Sequence, residues 1–265
     1  MNFIIIPVIV LGSLGLVLGV GLAIASKKFA VKADPMVEII FGMLPGSNCG
    51  ACGFAGCLSY AKGIVEGGAK IGLCPIGGED ASKKISEVFG VESISQQKIV
   101  ARIHCGGDTS SKRQKGNYDG VQTCLSAALV SGGTVMCSYG CLGFGDCVRA
   151  CSFDAIKLRE NLPPEVDKEK CTACGACVRT CPRNLIKPVH REKRFFVACS
   201  SRDKGKTVRQ VCDVGCIACI LCMKKCPEKA ISIENNLAKF DYTKCKNLGE
   251  CFSVCPTKCI QQKGL

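Results

Sequence analysis

The chain has no tryptophan, four tyrosines and only two histidines in 265 residues. So few aromatics argue against one large hydrophobic core. No G-x-G-x-x-G follows a strand pattern and no P-loop occurs, so no site for a nicotinamide, a flavin or ATP is visible. His104 and His190 stand at no metal-ligand spacing and read as surface or core residues, and no nucleophile–base constellation is apparent. What the chain has instead is cysteine, 24 of them. That density belongs either to a disulfide scaffold in a secreted chain or to a metal-loaded intracellular one. At 47% hydrophobic and 22% charged, the chain is not disordered. Small modules are the expectation, each built around its metal in place of a core.

The formal charge of +13 treats every cysteine as neutral. A metal-bound cysteine is a thiolate, and an oxidised four-iron cluster on four thiolates carries about −2, so five would contribute about −10. The loaded chain then lies near neutrality, and the basic excess is not read as a nucleic-acid footprint.

From Phe3 to Ala25 no residue is charged. As a helix this run reaches about 35 Å, enough to cross a hydrocarbon core of about 30 Å. Ala23-Ile24-Ala25 also fits the cleavage pattern of a signal peptide. Against that, no Lys or Arg precedes the run, the run is longer than an h-region, and Lys27, Lys28 and Lys32 follow it. It reads as a single-pass anchor in the cell membrane, and the lysines put the bulk of the chain on the cytoplasmic side. Gly15-x3-Gly19 suits a helix–helix contact or plain transmembrane filler. A reducing compartment disfavours disulfides and leaves thiolate clusters as the use for so many cysteines.

The first cysteine group is Cys49-x2-Cys52-x4-Cys57-x16-Cys74. Gly50 and Gly53 relax the turn, a helix over Ala55–Glu66 carries Cys57 with Leu58, Ala61, Ile64 and Val65 apolar, and Cys74 closes the set. A zinc ribbon pairs two CxxC knuckles and this stretch has one, which favours iron–sulfur over zinc. A short amphipathic helix follows, with Ile85, Val88 and Phe89 on one face. Cys105 and Cys124 show no metal spacing and read as structural thiols; Cys199 has no assigned role.

The second group is Cys137-x3-Cys141-x5-Cys147-x3-Cys151, then Cys171-x2-Cys174-x2-Cys177-x3-Cys181-Pro182, the bacterial ferredoxin run in full. In that run the fourth thiolate reaches across to the companion cluster. Crossed ligation predicts one [4Fe–4S] cluster on Cys137, Cys141, Cys147 and Cys181 and another on Cys151, Cys171, Cys174 and Cys177. The third group repeats the second about 75 residues on. Here Cys216, Cys219 and Cys222 pair with Cys255, and Cys212 is spare. Phe144 occupies the place of Cys219, and Cys137 is the expected substitute for the missing thiolate. Leu248 occupies the place of Cys174, so the last site has only Cys226, Cys245 and Cys251. Cys259 or Cys212 could complete it, or it is a [3Fe–4S] cluster. The total is about five clusters. One-electron transfer is the chemistry they offer. The basic run Lys187, Arg191, Lys193, Arg194, Arg202, Lys204, Lys206 and Arg209 is either a solvated face or a dock for a small acidic redox carrier.

The expected fold class is α+β. Residues 1–28 form the anchor, 29–80 the small four-cysteine module and 81–135 a connecting region. Residues 136–188 form a first bacterial ferredoxin-like two-cluster module, 189–211 a basic connector and 212–265 a second such module. The membrane helix, the Asn48-Cys-Gly-Ala-Cys-Gly-Phe-Ala-Gly-Cys57 stretch, Cys105-Gly-Gly, Cys137-Ser-Tyr-Gly-Cys-Leu-Gly-Phe-Gly-Asp-Cys147 and the paired ferredoxin runs stand in an order that resembles the B subunits of Rnf complexes. The resemblance implies a membrane-bound translocase that oxidises reduced ferredoxin, reduces NAD+ and exports Na+ or H+. Within it this chain would relay electrons from ferredoxin to other subunits of the complex, with no catalytic site of its own beyond electron transfer. A relay subunit of another membrane oxidoreductase, or of a complex that reduces a redox regulator, would use the same residues. A zinc-binding assembly scaffold is the non-redox alternative.

Overall fold

The computed structural model describes residues 2–28, 34–92 and 98–263; Lys32 lies outside them. Helix α1 (Asn2–Lys28) takes up the apolar run, and its Val8–Lys28 portion is long and apolar enough to cross a membrane, with mean hydropathy 2.6. Leu11, Leu16 and Leu22 are all about 70% exposed, so none of the described residues covers them.

Three helices follow: α2 (Pro35–Met43), α3 (Cys57–Val65) and α4 (Gly78–Phe89). Asp34 starts α2 by accepting the Met36 N–H at 2.9 Å, and Pro35 fills a first-turn position that needs no amide hydrogen. Val37, Ile40, Leu44, Tyr60, Ala61, Ile64 and Ile85 pack into one buried cluster with Cys57 and Cys74. Helix α3 begins two residues later than the sequence pattern places it, and Tyr60 rather than Leu58 completes its buried stripe. On α4 the buried face is Ala81, Ser82, Ile85 and Ser86, at helical spacing. Val88 and Phe89, expected on that face, are more than one-third exposed.

The remainder is a repeated unit. Its first copy runs β1 (Ile99–Ile103), α5 (Cys124–Leu129), α6 (Asp146–Arg149), β2 (Ile156–Arg159), β3 (Leu162–Val166), α7 (Ala176–Thr180) and β4 (Ile186–His190). Its second runs β5 (Phe195–Val197), α8 (Gly205–Val211), α9 (Leu221–Lys225), β6 (Ile231–Glu234), β7 (Leu237–Phe240), α10 (Glu250–Ser253) and β8 (Ile260–Gln262). In each copy the first and last strands pair antiparallel, and an inner hairpin joins the two middle strands. Asn235 and Asn236 turn the β6–β7 hairpin with left-handed backbones, the twist that a two-residue turn needs.

Each first strand lies upstream of the ferredoxin-like boundaries expected from the cysteine pattern. Strand β1 comes from the region read as a connection, and β5 from the basic stretch. Phe195, Phe196 and Val197 are all buried, because their apolar side chains close the core over β8. The cores themselves are small. Ala101, Ile156 and Ile186 cluster with Cys177 in the first copy. Phe195, Val197, Ile231, Leu237 and Ile260 cluster with Cys216, Cys222, Cys251 and Cys259 in the second. Between the copies, Lys112 bridges to Cys212 and Arg113 makes a two-pronged salt bridge to Asp213 at 2.8 Å. All 24 thiols are free.

Cores this small leave much of the folding free energy to metal binding. Removing iron with a chelator should therefore unfold both copies, seen as loss of far-ultraviolet circular dichroism outside the α1 contribution. A metal-free chain that kept its hairpin signal would show that the apolar clusters suffice alone.

Candidate iron–sulfur sites

Four loops of the repeat share one backbone. In Cys171–Cys177 the second and fourth residues after the leading cysteine, Ala173 and Gly175, are left-handed, at φ 55° and 76°. Cys216–Cys222 repeats this at Ala218 and Ile220, Cys245–Cys251 at Asn247 and Gly249, and Cys141–Cys147 at Gly143 and Gly145. A β-branched residue at positive φ, as at Ile220, is strained. It persists where the surroundings over-determine the loop. Each loop ends in a short helix (α7, α9, α10, α6) that carries its third cysteine: Cys177, Cys222, Cys251 and Cys147.

The cysteine after each short helix crosses to the companion loop. Cys151 lines one cavity with Cys171, Cys174 and Cys177. Cys255 lines another with Cys216, Cys219 and Cys222. Cys181 reaches the cavity of Cys141 and Cys147. In the N-terminal unit, Gly50 and Gly53 are left-handed and present Cys49 and Cys52. Asn48 accepts the Cys57 N–H at 2.8 Å, and a Cβ on Gly56 would sit 2.8 Å from that same oxygen. The Tyr60 hydroxyl donates to the Lys70 carbonyl at 2.9 Å and accepts the Leu73 N–H at 3.0 Å. These bonds pin the turn that delivers Cys74, whose sulfur accepts the Gly77 N–H at 3.3 Å.

Two expected placements differ. Cys137 does not line the cavity of Cys141, Cys147 and Cys181; Cys124, at the start of α5, stands there instead. Phe144 points its ring at Tyr118, and Thr123 caps α5 so that Cys124 faces the gap. The insertion that carries Cys124 has no counterpart in the second copy, so no spacing rule links it to the loop it completes. Cys259 is the second case. It lines the cavity of Cys216, Cys219, Cys222 and Cys255, against Cys199 and Cys216, and Cys212 lies between the copies. Neither is placed with Cys226, Cys245 and Cys251. Leu248 at the vacant corner is 59% exposed.

Burial is the largest influence on Cys147, Cys141 and Cys222. It pushes Cys147, Cys141 and Cys222 up to about 12, and the neighbouring sulfurs add to it. For Cys147 those neighbours are Cys141, Cys124, Cys181 and Cys177. For Cys177 (about 11) they are Cys171, Cys174 and Cys151, and for Cys251 (about 11) they are Cys245 and Cys226. Cys259 is the exception in kind. Its hydrogen bonds to Cys199 and Cys216 hold those two down at about 7 and about 6, while its own thiol is pushed well above the usual value. Thiols that burial keeps protonated become ligands when metal displaces the proton. Among the described residues, no three Cys, His, Asp or Glu side chains form a group that could hold a single ion. Sulfurs spread around a cavity suit a cluster better than one zinc at Zn–S of about 2.3 Å.

The fold and its donor sets define a multi-site iron–sulfur protein of the ferredoxin type. The family model for an Fe–S cluster domain matches residues 44–76, and that for a 4Fe-4S binding domain matches residues 164–187. The chain is 45% identical over 260 residues to the B subunit of the Na(+)-translocating ferredoxin:NAD(+) oxidoreductase complex of Acetobacterium woodii, covering 98% of this chain and 78% of that protein. It is 40% identical over 252 residues to the B subunit of the ion-translocating oxidoreductase complex of Methanosarcina acetivorans, covering 95% and 96% of the two. With the B subunit of the proton-translocating ferredoxin:NAD(+) oxidoreductase complex of Clostridium ljungdahlii it shares 38% over 266 residues, 98% of this chain and 93% of that one. The chain belongs to the family of B subunits of the Rnf ion-translocating oxidoreductase complexes.

Replacing Cys124 with Ala should cost from one iron to a whole cluster of about four per chain, counted with acid-labile sulfide on anaerobically purified protein. Cys259→Ala should leave the iron count unchanged. The reverse pattern would return the fourth ligand to the sequence-based assignment.

Proposed function

We propose that this chain is the membrane-anchored electron-relay component of an ion-translocating ferredoxin:NAD+ oxidoreductase, taking electrons from reduced ferredoxin and passing them to other subunits of that complex. The observation that carries the reading is the fourfold loop with left-handed second and fourth positions, each loop completed from across its repeat. Five cysteine sets follow from it and from the N-terminal unit. They are Cys49, Cys52, Cys57 and Cys74; Cys124, Cys141, Cys147 and Cys181; Cys151, Cys171, Cys174 and Cys177; Cys216, Cys219, Cys222 and Cys255; and Cys226, Cys245 and Cys251. Four-iron clusters bound there supply one-electron transfer. The three-cysteine set leaves one corner without a protein thiolate beside exposed Leu248, which suits a [3Fe–4S] cluster or a labile fourth iron.

The residues around the sulfurs tune the sites. The Ala101 N–H donates to the Cys171 sulfur and the Ala230 N–H to the Cys226 sulfur, each at 3.3 Å, and such bonds favour the reduced, more negative state. The two repeats form two ferredoxin-like modules, and Lys27 and Lys28 at the end of α1 favour the cytoplasmic side of a single-pass anchor for them.

The basic run divides into two parts. Arg191 pairs with Glu169, the Lys193 ammonium caps the Cys245 carbonyl at 2.8 Å, and Arg194 lies over the Phe195 ring. Those cations serve the fold. Arg202, Lys204, Lys206 and Arg209 stay exposed along the approach to α8 and on it, with no ion pair among the described residues. They form the dock for an acidic carrier, since opposite charge speeds encounter without tight binding. Reversing Lys204 and Lys206 to Glu should slow reduction by reduced ferredoxin about tenfold at low salt, read by stopped-flow bleaching, and flatten the salt dependence. Reduction rates indifferent to both salt and charge reversal would remove the dock.

A further inference from the structure

Four cysteines that the ferredoxin pattern leaves over meet at the junction between the two repeats. Cys105, Cys137, Cys199 and Cys212 line one cavity. Their sulfurs register one another. Burial pushes Cys137 up to about 11, a backbone hydrogen bond from Tyr139 pulls it back, and Cys199, Cys105 and Cys212 each push it further up. We propose that these four cysteines hold a sixth iron–sulfur cluster, of the four-iron type, shared between the two copies of the repeat.

The arrangement has an internal symmetry that chance would not supply. Cys105 stands two residues past β1, and Cys199 stands two residues past β5, the equivalent strand. Cys137 precedes Cys141 by four, and Cys212 precedes Cys216 by four. Each copy therefore donates two cysteines from matching positions, and a set of four exists only when the copies meet. The cavity volume at this site, about 20 Å³, equals that at three of the sets already described. Glycine makes the approach possible. A Cβ on Gly107 would stand 2.8 Å from Lys112 Cγ and 3.4 Å from the Cys212 sulfur, and one on Gly106 would stand 2.5 Å from Gln261.

The surroundings ask for negative charge. Lys112 lines the cavity and is 8% exposed, its ammonium on the Cys141 carbonyl at 2.9 Å, with no carboxylate partner among the described residues. A buried cation without a counter-charge is costly. A thiolate-bound cluster at about −2 supplies one. Backbone donors already point at the sulfurs: the Cys141 N–H at Cys105 and the Ser201 N–H at Cys199, each at 3.4 Å. Loading by transfer of a preassembled [4Fe–4S] cluster from a thiolate carrier breaks its four Fe–S bonds to the carrier, forms four Fe–S(Cys) bonds here and passes the four thiol protons to the carrier's released thiolates, with no electron exchanged. The site touches both neighbours, through Cys141 to the first copy's set and through Cys259, which stands against Cys199 and Cys216, to the second's. A cluster here joins the two modules' sites into one row.

This proposal rests on the iron–sulfur reading of the chain, and iron counting separates the two. The test is iron, zinc and acid-labile sulfide per chain on the full-length protein, purified anaerobically in detergent, beside a Cys105→Ser/Cys212→Ser variant. The expected wild-type count is about 23 to 24 irons, and the variant loses about four while keeping the signals of the rest. About 19 to 20 irons in the wild type, or zinc in their company, overturns the sixth cluster and leaves the other five standing. A variant with undiminished iron overturns it as well. A chain without iron sinks the whole iron–sulfur reading. Should the variant fail to fold, the wild-type count decides alone, since five sets hold at most about 20 irons.

Discussion

Taking thiolates out of water is the constraint on which this molecule turns. A buried thiol keeps its proton, as Cys141, Cys147 and Cys222 do when pushed up to about 12, until metal replaces it. The chain must then bring several such groups around one space and hold them apart at the corners of a cluster. Loops with two left-handed residues, short helices that deliver the third sulfur and crossed fourth cysteines all answer that demand. So does the modest apolar packing. Ala101, Ile156 and Ile186 do not make a core that stands alone, and they do not need to.

Duplication explains the rest of the plan. One unit, with an outer strand pair and an inner hairpin, occurs twice, and the copies differ at particular cysteine positions. Phe144 stands where the second copy has Cys219, and an insertion brings Cys124 to the cavity of Cys141, Cys147 and Cys181. Leu248 stands where the first copy has Cys174, and it is exposed. Cys259, in the position of Leu185, stands against both Cys199 and Cys216. The copies meet through Arg113 on Asp213, Lys112 beside Cys212, the Gly106 N–H on the Ala198 carbonyl and the His104 ring edge-on to Phe196, a mixed polar and aromatic junction.

Much of this was legible in order along the chain. The apolar run gives α1, Cys49 to Cys74 gives the first unit, and the ferredoxin spacing gives the loops around Cys171 and Cys216. The crossed pairing of Cys151 and Cys181 was legible too, because it follows from one loop and one short helix of fixed length. Strand β5 was hidden among basic residues whose charge spoke louder than Phe195, Phe196 and Val197. Val88 and Phe89 were misplaced because an amphipathic count does not say how far the neighbouring chain extends over the helix.

Which cysteines sit together within a loop could be read from their order alone, since three residues of backbone allow few distances and the glycines mark the left-handed turns. The same order announced a helix fit for a membrane and many iron–sulfur sites in place of a core. Which sulfurs meet from afar was a matter of packing. Cys124 reaches Cys147, Cys137 turns away from it, and Cys105 finds Cys199 and Cys212. The reason is physical: sequence separation fixes geometry over a few bonds, whereas the partners of a distant cysteine are set by how β1·β4, β5·β8 and the α8 junction pack in space.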